Sequence, residues 1–135
     1  MAVKKFNLIL VKKSGEIEFI SAKLEEQDEY SVVEYAEHLI KAGYSKVFST
    51  PTLGDEWRCV EDITYGTDGE WKFHEDVYKA GLNAVATKLV GREIHGDCVI
   101  MKKNSLYKQN DETNNMFESV TKKDLNEIVS RANKK

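Results

Sequence analysis

The run Phe6-Asn7-Leu8-Ile9-Leu10-Val11 constrains this chain most, because it is compact, apolar at all but one position, and too short for a stable helix. Its apolar residues are consecutive, which fits a strand covered on both faces and central in its sheet. Ser14-Gly15 follows, and Gly tolerates the positive φ of a tight hairpin turn. Glu16 to Ala22 then alternates, with Ile17 and Phe19 set against Glu16 and Glu18. The first unit predicted is a β-hairpin.

Tyr30 to Ala42 has helical spacing, with Val32, Val33, Ala36, Leu39 and Ile40 on one face and Glu34, Glu37 and Lys41 on the other. Gly43 can end that helix in a left-handed conformation. Residues 46–50 read as a strand ended by Pro51, the only proline. From Glu56 to Tyr65 the odd positions Trp57, Cys59, Ile63 and Tyr65 share a face, and Glu61 is the discordant member. A turn at residues 66–69 leads to Trp71 and Phe73, so a second hairpin with inward aromatics is expected.

His74, Glu75 and Asp76 suit the first turn of another helix, where acidic side chains favour the helix dipole. Its stripe would be Val77, Ala80, Gly81, Ala84, Val85 and Leu89, widened by Leu82 and Ala86, with Gly91 near its end. A Gly96-Asp97 turn then precedes a buried strand from Cys98 to Met101. After Lys103 the composition becomes polar. Thr121 with Asp124 gives a helix-start signal close to a capping box, and Leu125, Ile128, Val129 and Ala132 follow at i, i+3, i+4 and i+7.

The fold class expected is α+β: a mostly antiparallel sheet with two packed helices and a tethered C-terminal amphipathic helix. The expected divisions are a core over 1–103, a polar linker over 104–120 and the amphipathic helix over 121–133. On that division, a chain lacking 104–135 would keep a cooperatively melting core while losing partner binding.

Charge and cysteines narrow the function. The 135 residues carry a formal net charge of −3, so no global basic field exists to attract nucleic acid or an anionic membrane. Glu25, Glu26, Asp28 and Glu29 form an acidic knot, and Lys122, Lys123, Arg131, Lys134 and Lys135 make the tail basic; both read as solvated faces. Cys59 and Cys98 have no short spacing, which favours free thiols in a reducing compartment. The N-terminal apolar run ends at Val11, too short for a signal-peptide core or a membrane span, so a cytoplasmic protein is expected.

The segment around His95, Asp97 and Cys98 is the only place where those three residue types fall together. His95-x-x-Cys98 is the only pair at ligand-like spacing, with no second pair to complete a zinc site, so no metal and no cofactor are expected. Cys98 as a nucleophile would need an open, electropositive setting, but Val99, Ile100 and Met101 point to burial. There is no Gly-x-Ser-x-Gly elbow and no phosphate-binding Gly-rich loop. An enzyme built from His74, Asp76, His95 and Cys98 is the alternative reading. Single-stranded nucleic acid stacking on Trp57, Tyr65, Trp71 and Phe73 is a second alternative, opposed by the surrounding acids.

The leading expectation is a small non-enzymatic interaction protein, accessory or regulatory, that meets a protein partner or a second copy through Leu125, Ile128, Val129 and Ala132. Docking of that helix on its own domain is an equal possibility from sequence. Lys, Asn and Glu richness with one proline is what an AT-rich genome encodes, and a phage or viral accessory protein fits it.

Overall fold

The first apolar run becomes β1 (Lys4–Val11), paired antiparallel with β2 (Ile17–Leu24) in unbroken register. The Lys12 N–H closes the hairpin on Glu16 O at 2.9 Å, and Gly15 takes φ +98 in the turn. This is a computed structural model that describes residues 4–26, 28–40, 45–62, 64–65, 71–72, 81–104 and 116–134.

In chain order there follow α1 (Glu29–Ile40), β3 (Ser45–Ser49), β4 (Trp57–Asp62), the short pair β5 (Thr64–Tyr65) and β6 (Trp71–Lys72), and α2 (Ala84–Val90). β7 (Cys98–Lys103), β8 (Phe117–Glu118) and α3 (Lys122–Asn133) complete the described elements. The main sheet is six-stranded, ordered β2-β1-β7-β4-β3, with β8 also on β7. All pairings among the described strands are antiparallel. The fold is α+β.

Both faces of the sheet are covered, as consecutive apolar residues demand. Phe6, Leu8, Leu10, Val60, Val99 and Met101 pack on one side with Val32 and Ala36 of α1. Ile9, Val11, Trp57, Cys59, Cys98 and Ile100 pack on the other with Ala86, Leu89 and Val90 of α2 and Ile128 of α3.

Two expectations are corrected. The helix that carries Ala84, Val85, Ala86 and Leu89 does not include Gly81 and Leu82, as the expected stripe did. Gly81 has φ +92, Leu82 bridges to His95, and the helix starts after Asn83. Asn83 Oδ1 accepts from Ala86 N–H at 3.0 Å, while its Nδ2–H donates to Val11 O and Gly96 O. A buried Asn that caps a helix while bonding both β1 and the turn before β7 sets the helix start there. Residues 73–80 lie outside the described residues. Gly91 closes the helix as expected, at φ +96.

The second correction concerns the tail. Residues 117–120, expected in the linker, belong to the sheet and its core. β1 pairs with β7 only through Ile9, Leu10 and Val11, and β8 takes up the same edge of β7 at Lys102 and Lys103. Asn7, the one polar residue of the first run, ties the segment down. Its N–H donates to Ser119 Oγ at 2.8 Å, its Nδ2–H to Val120 O at 3.1 Å, and its carbonyl accepts from Val120 N–H at 3.0 Å. Phe117 and Val120 are buried. The helix that follows is capped as expected, with Thr121 Oγ1 and the Asp124 carboxylate bonding each other's backbone N–H. Thus α3 docks on its own domain, and residues 1–103 lack part of the core.

Ile128→Ala should lower the free energy of unfolding by about 3 kcal/mol, the usual cost of emptying a large buried aliphatic site. Urea denaturation of the full chain measures this, and a change within about 0.5 kcal/mol would place α3 outside the cooperative unit.

Candidate functional site

The residues singled out from sequence do not assemble a reactive centre among the described residues. His74 and Asp76 lie outside them. His95 is buried, with its Nε2 at 3.2 Å from Glu93 Oε1, and its backbone bridges to Leu82. Cys98 is buried at the start of β7, facing the layer of α2 and α3. No three of the described His, Cys, Asp and Glu residues gather as a metal site.

What the sequence did not show is that Cys98 sits beside Cys59. Cys59 lies opposite Ile100 in the β4–β7 register, so Cys98 is its diagonal neighbour on the same face. A hydrogen bond between the two thiols, with burial, pushes the Cys98 thiol well up. The same bond holds the Cys59 thiol below its ordinary value, helped by Arg92, whose Nη2 is 3.9 Å from Cys59 Sγ. Both thiols are free and enclosed, so a water-soluble thiol reagent should label the native chain only as fast as it opens. Rapid labelling of folded protein would return Cys98 to the list of nucleophiles.

Glu61, the discordant residue of its strand, is the other buried feature. It is 1% exposed on the apolar side that holds Trp57 and Cys59. Arg92 meets it from the loop after α2, Nη1 to Oε1 at 3.0 Å, and stacks its guanidinium 3.9 Å from the Phe48 ring centroid. Burial raises the Glu61 carboxyl, and Arg92 opposes that rise. Glu61 Oε2 has no hydrogen-bond partner among the described residues. The lone acid in an apolar alternation was the visible signal, but nothing local identified a cation 31 residues later.

Arg92→Met leaves a buried carboxylate unpaired and should cost on the order of 3 kcal/mol at neutral pH. A carboxyl whose folded pKa exceeds its unfolded one favours the fold in acid and costs it stability as pH rises through the folded value. The loss should therefore shrink as Glu61 takes up a proton, which paired urea melts at pH 7 and roughly pH 4 would show.

Among the described residues, two concavities open to solvent stand out. The smaller, about 380 Å³, lies where Thr52 and Leu53 meet Lys88, Leu89, Arg131 and Lys134. Two of its three cations are already engaged by backbone carbonyls: Arg131 Nη1–H donates to Leu53 O at 3.0 Å and Lys88 Nζ to Ala132 O at 3.0 Å. They close the end of α3 rather than wait for a ligand. The larger, about 490 Å³, is a groove between the end of β2 and α1, lined by residues 23–26 and by Ser31, Glu34, Tyr35 and His38. Nearby, Tyr30 is 73% exposed. Its phenol pKa is raised by a hydrogen bond to Glu34 and by that residue's charge.

Of the residues expected to meet a partner, Ile128 is spent inside the chain's own core, with Leu125 and Ala132 packed against it. Val129 is half-buried. Trp57 is likewise a core residue, so it is no outward stacking platform; the side chains of Tyr65, Trp71 and Phe73 are outside the described set.

No protein-family model matches the chain, and no curated protein matches its sequence. A solved structure does resemble it: the crystal structure of the small RNA methyltransferase HEN1, with a TM-score of 0.58 and 15% sequence identity. The likeness covers 96% of this chain and 16% of that one. At this identity it is a likeness of fold. No helix among the described residues is long and apolar enough to cross a membrane.

Proposed function

We propose that this chain is a non-enzymatic interaction module that binds a protein partner through the groove between β2 and α1. One observation carries the reading: an eight-residue strand forms an edge of the sheet, and an open groove runs between its end and a helix. A strand edge beside a helix is the arrangement that recurring peptide-recognition domains use. The amphipathic tail, the first choice from sequence, is occupied by its own core. The likeness to 16% of a larger enzyme fits a module that works alongside other parts. Two unpaired thiols fit work in the cytoplasm.

The test places a photo-crosslinking amino acid at Glu34 in the groove or at Asn126 on the exposed side of α3, then irradiates in cell extract. Partner adducts are expected from position 34 and not from position 126. Adducts from 126 alone, or from neither, would remove the groove as the working surface.

The likeness to part of a small RNA methyltransferase favours a second reading, RNA binding. It predicts retention of a single-stranded RNA that weakens steeply with salt. The net charge of −3 opposes it.

A further inference from the structure

The hairpin turn fixes which backbone groups of β2 point away from the sheet. Lys12 and Glu16 form a hydrogen-bonded rung, and such rungs recur at every second residue of an antiparallel pair. The register then gives bonded pairs at Leu10 with Glu18, Leu8 with Ile20 and Phe6 with Ala22. The far side of β1 agrees, since Asn7 turns its carbonyl toward Val120 and away from β2. Ile17, Phe19, Ser21 and Lys23 therefore turn their N–H and C=O groups outward. No described strand pairs with that side of β2.

Exposed edges are commonly blunted by proline, a bulge or short length. β2 has no proline, runs for eight residues and keeps an unbroken register. Its outward row ends at Lys23, where the groove begins. There the exposed carboxylates of Glu25, Glu26 and Glu34 outnumber Lys23. The helix wall adds the ring of Tyr35, a surface against which a cation can pack.

We propose that β2 accepts an extended, basic peptide segment of a partner protein as an added strand, with a Lys or Arg of that segment lying in the groove beside Glu34. The proposal rests on the interaction-module reading and names the chemistry of its partner. The peptide backbone would satisfy the outward groups of residues 17, 19, 21 and 23, and the acidic groove would select charge. Glu18, the one acid within β2, already faces Lys12 at 3.4 Å.

The full chain is titrated with four fluorescein-labelled dodecapeptides: alternating Val and Thr with two central Arg, the same with two central Glu, and two forms of the Arg peptide N-methylated on one or the other alternate set of amides. The Arg peptide should bind about tenfold more tightly than the Glu peptide, and Glu34→Lys should reverse that order. One N-methylated set should bind and the other fail, because only one side of an added strand bonds to the edge. Amide exchange at Phe19, Ser21 and Lys23 should slow about tenfold with the Arg peptide and stay unchanged at Glu18 and Ile20.

Equal binding of the Arg and Glu peptides, tolerance of both N-methylated forms, or no binding of the Arg peptide up to roughly millimolar concentration would overturn the proposal. So would a concentration-dependent dimer in sedimentation that protects the same amides without peptide, since a second copy would then be the occupant. If position 34 crosslinks a partner while the peptides fail, the module reading stands and strand addition is wrong. If position 34 crosslinks nothing, the module reading itself has failed.

Discussion

Two strands at the centre of this sheet, β1 and β7, carry apolar side chains at consecutive positions, and neither of their faces can be left in water. Each large aliphatic residue loses roughly 1.5–3 kcal/mol if its side chain stays exposed. Leu8, Leu10, Val99 and Met101 face one way, and Ile9, Val11, Cys98 and Ile100 the other. That requirement calls for two separate layers. α1 makes the first, and the short α2 is too small to make the second unaided. The tail helix is drawn in because the sheet needs the area that Ile128, Leu125 and Ala132 bring.

Polar groups inside this double layer are tolerated because each does directional work. Asn83 bonds a helix start, β1 and the turn before β7 at once; Asn7 anchors the returning chain where β1 leaves β7. Glu61 is the costly member. Its pairing with Arg92 offsets the loss of water only in part, which is why its carboxyl stays raised. Asp124 shows the contrary balance: burial pulls its carboxyl up, and the backbone bond to Thr121 with Lys102 at 3.0 Å brings it below its ordinary value. An acid at a helix start with a cation beside it stabilises; an acid between strands needs a partner from elsewhere.

The same layering explains where a partner could bind. With helices over both faces, the sheet can offer its edges but not its surfaces. At one edge the strand is long and regular, and α1 stands close enough to form a wall. None of this was legible in the segment from Glu16 to Glu37, because an edge is defined by which strand is missing beside it. Sequence reasoning treated the acids at 25 and 26 as a solvated knot and left the tail helix even between its own domain and a partner. In the structure the tail helix packs on its own sheet; hydrophobic spacing in a helix is the same whether its target lies in another protein or in its own domain.

Local chemistry alone determined the first hairpin, the α1 stripe, the cap at Thr121 and Asp124, Gly91 as a helix stop, and the burial of Cys98 to Met101. Each rests on periodicity or a turn residue acting within a few positions. Tertiary structure decided the rest: Cys59 beside Cys98, Arg92 beneath Glu61, Asn83 as a cap, β8 filling the gap beside β1, and β2 left at the rim. Those outcomes depend on strand order, and strand order follows from covering both faces of the whole sheet at once, a condition that no short window of sequence contains.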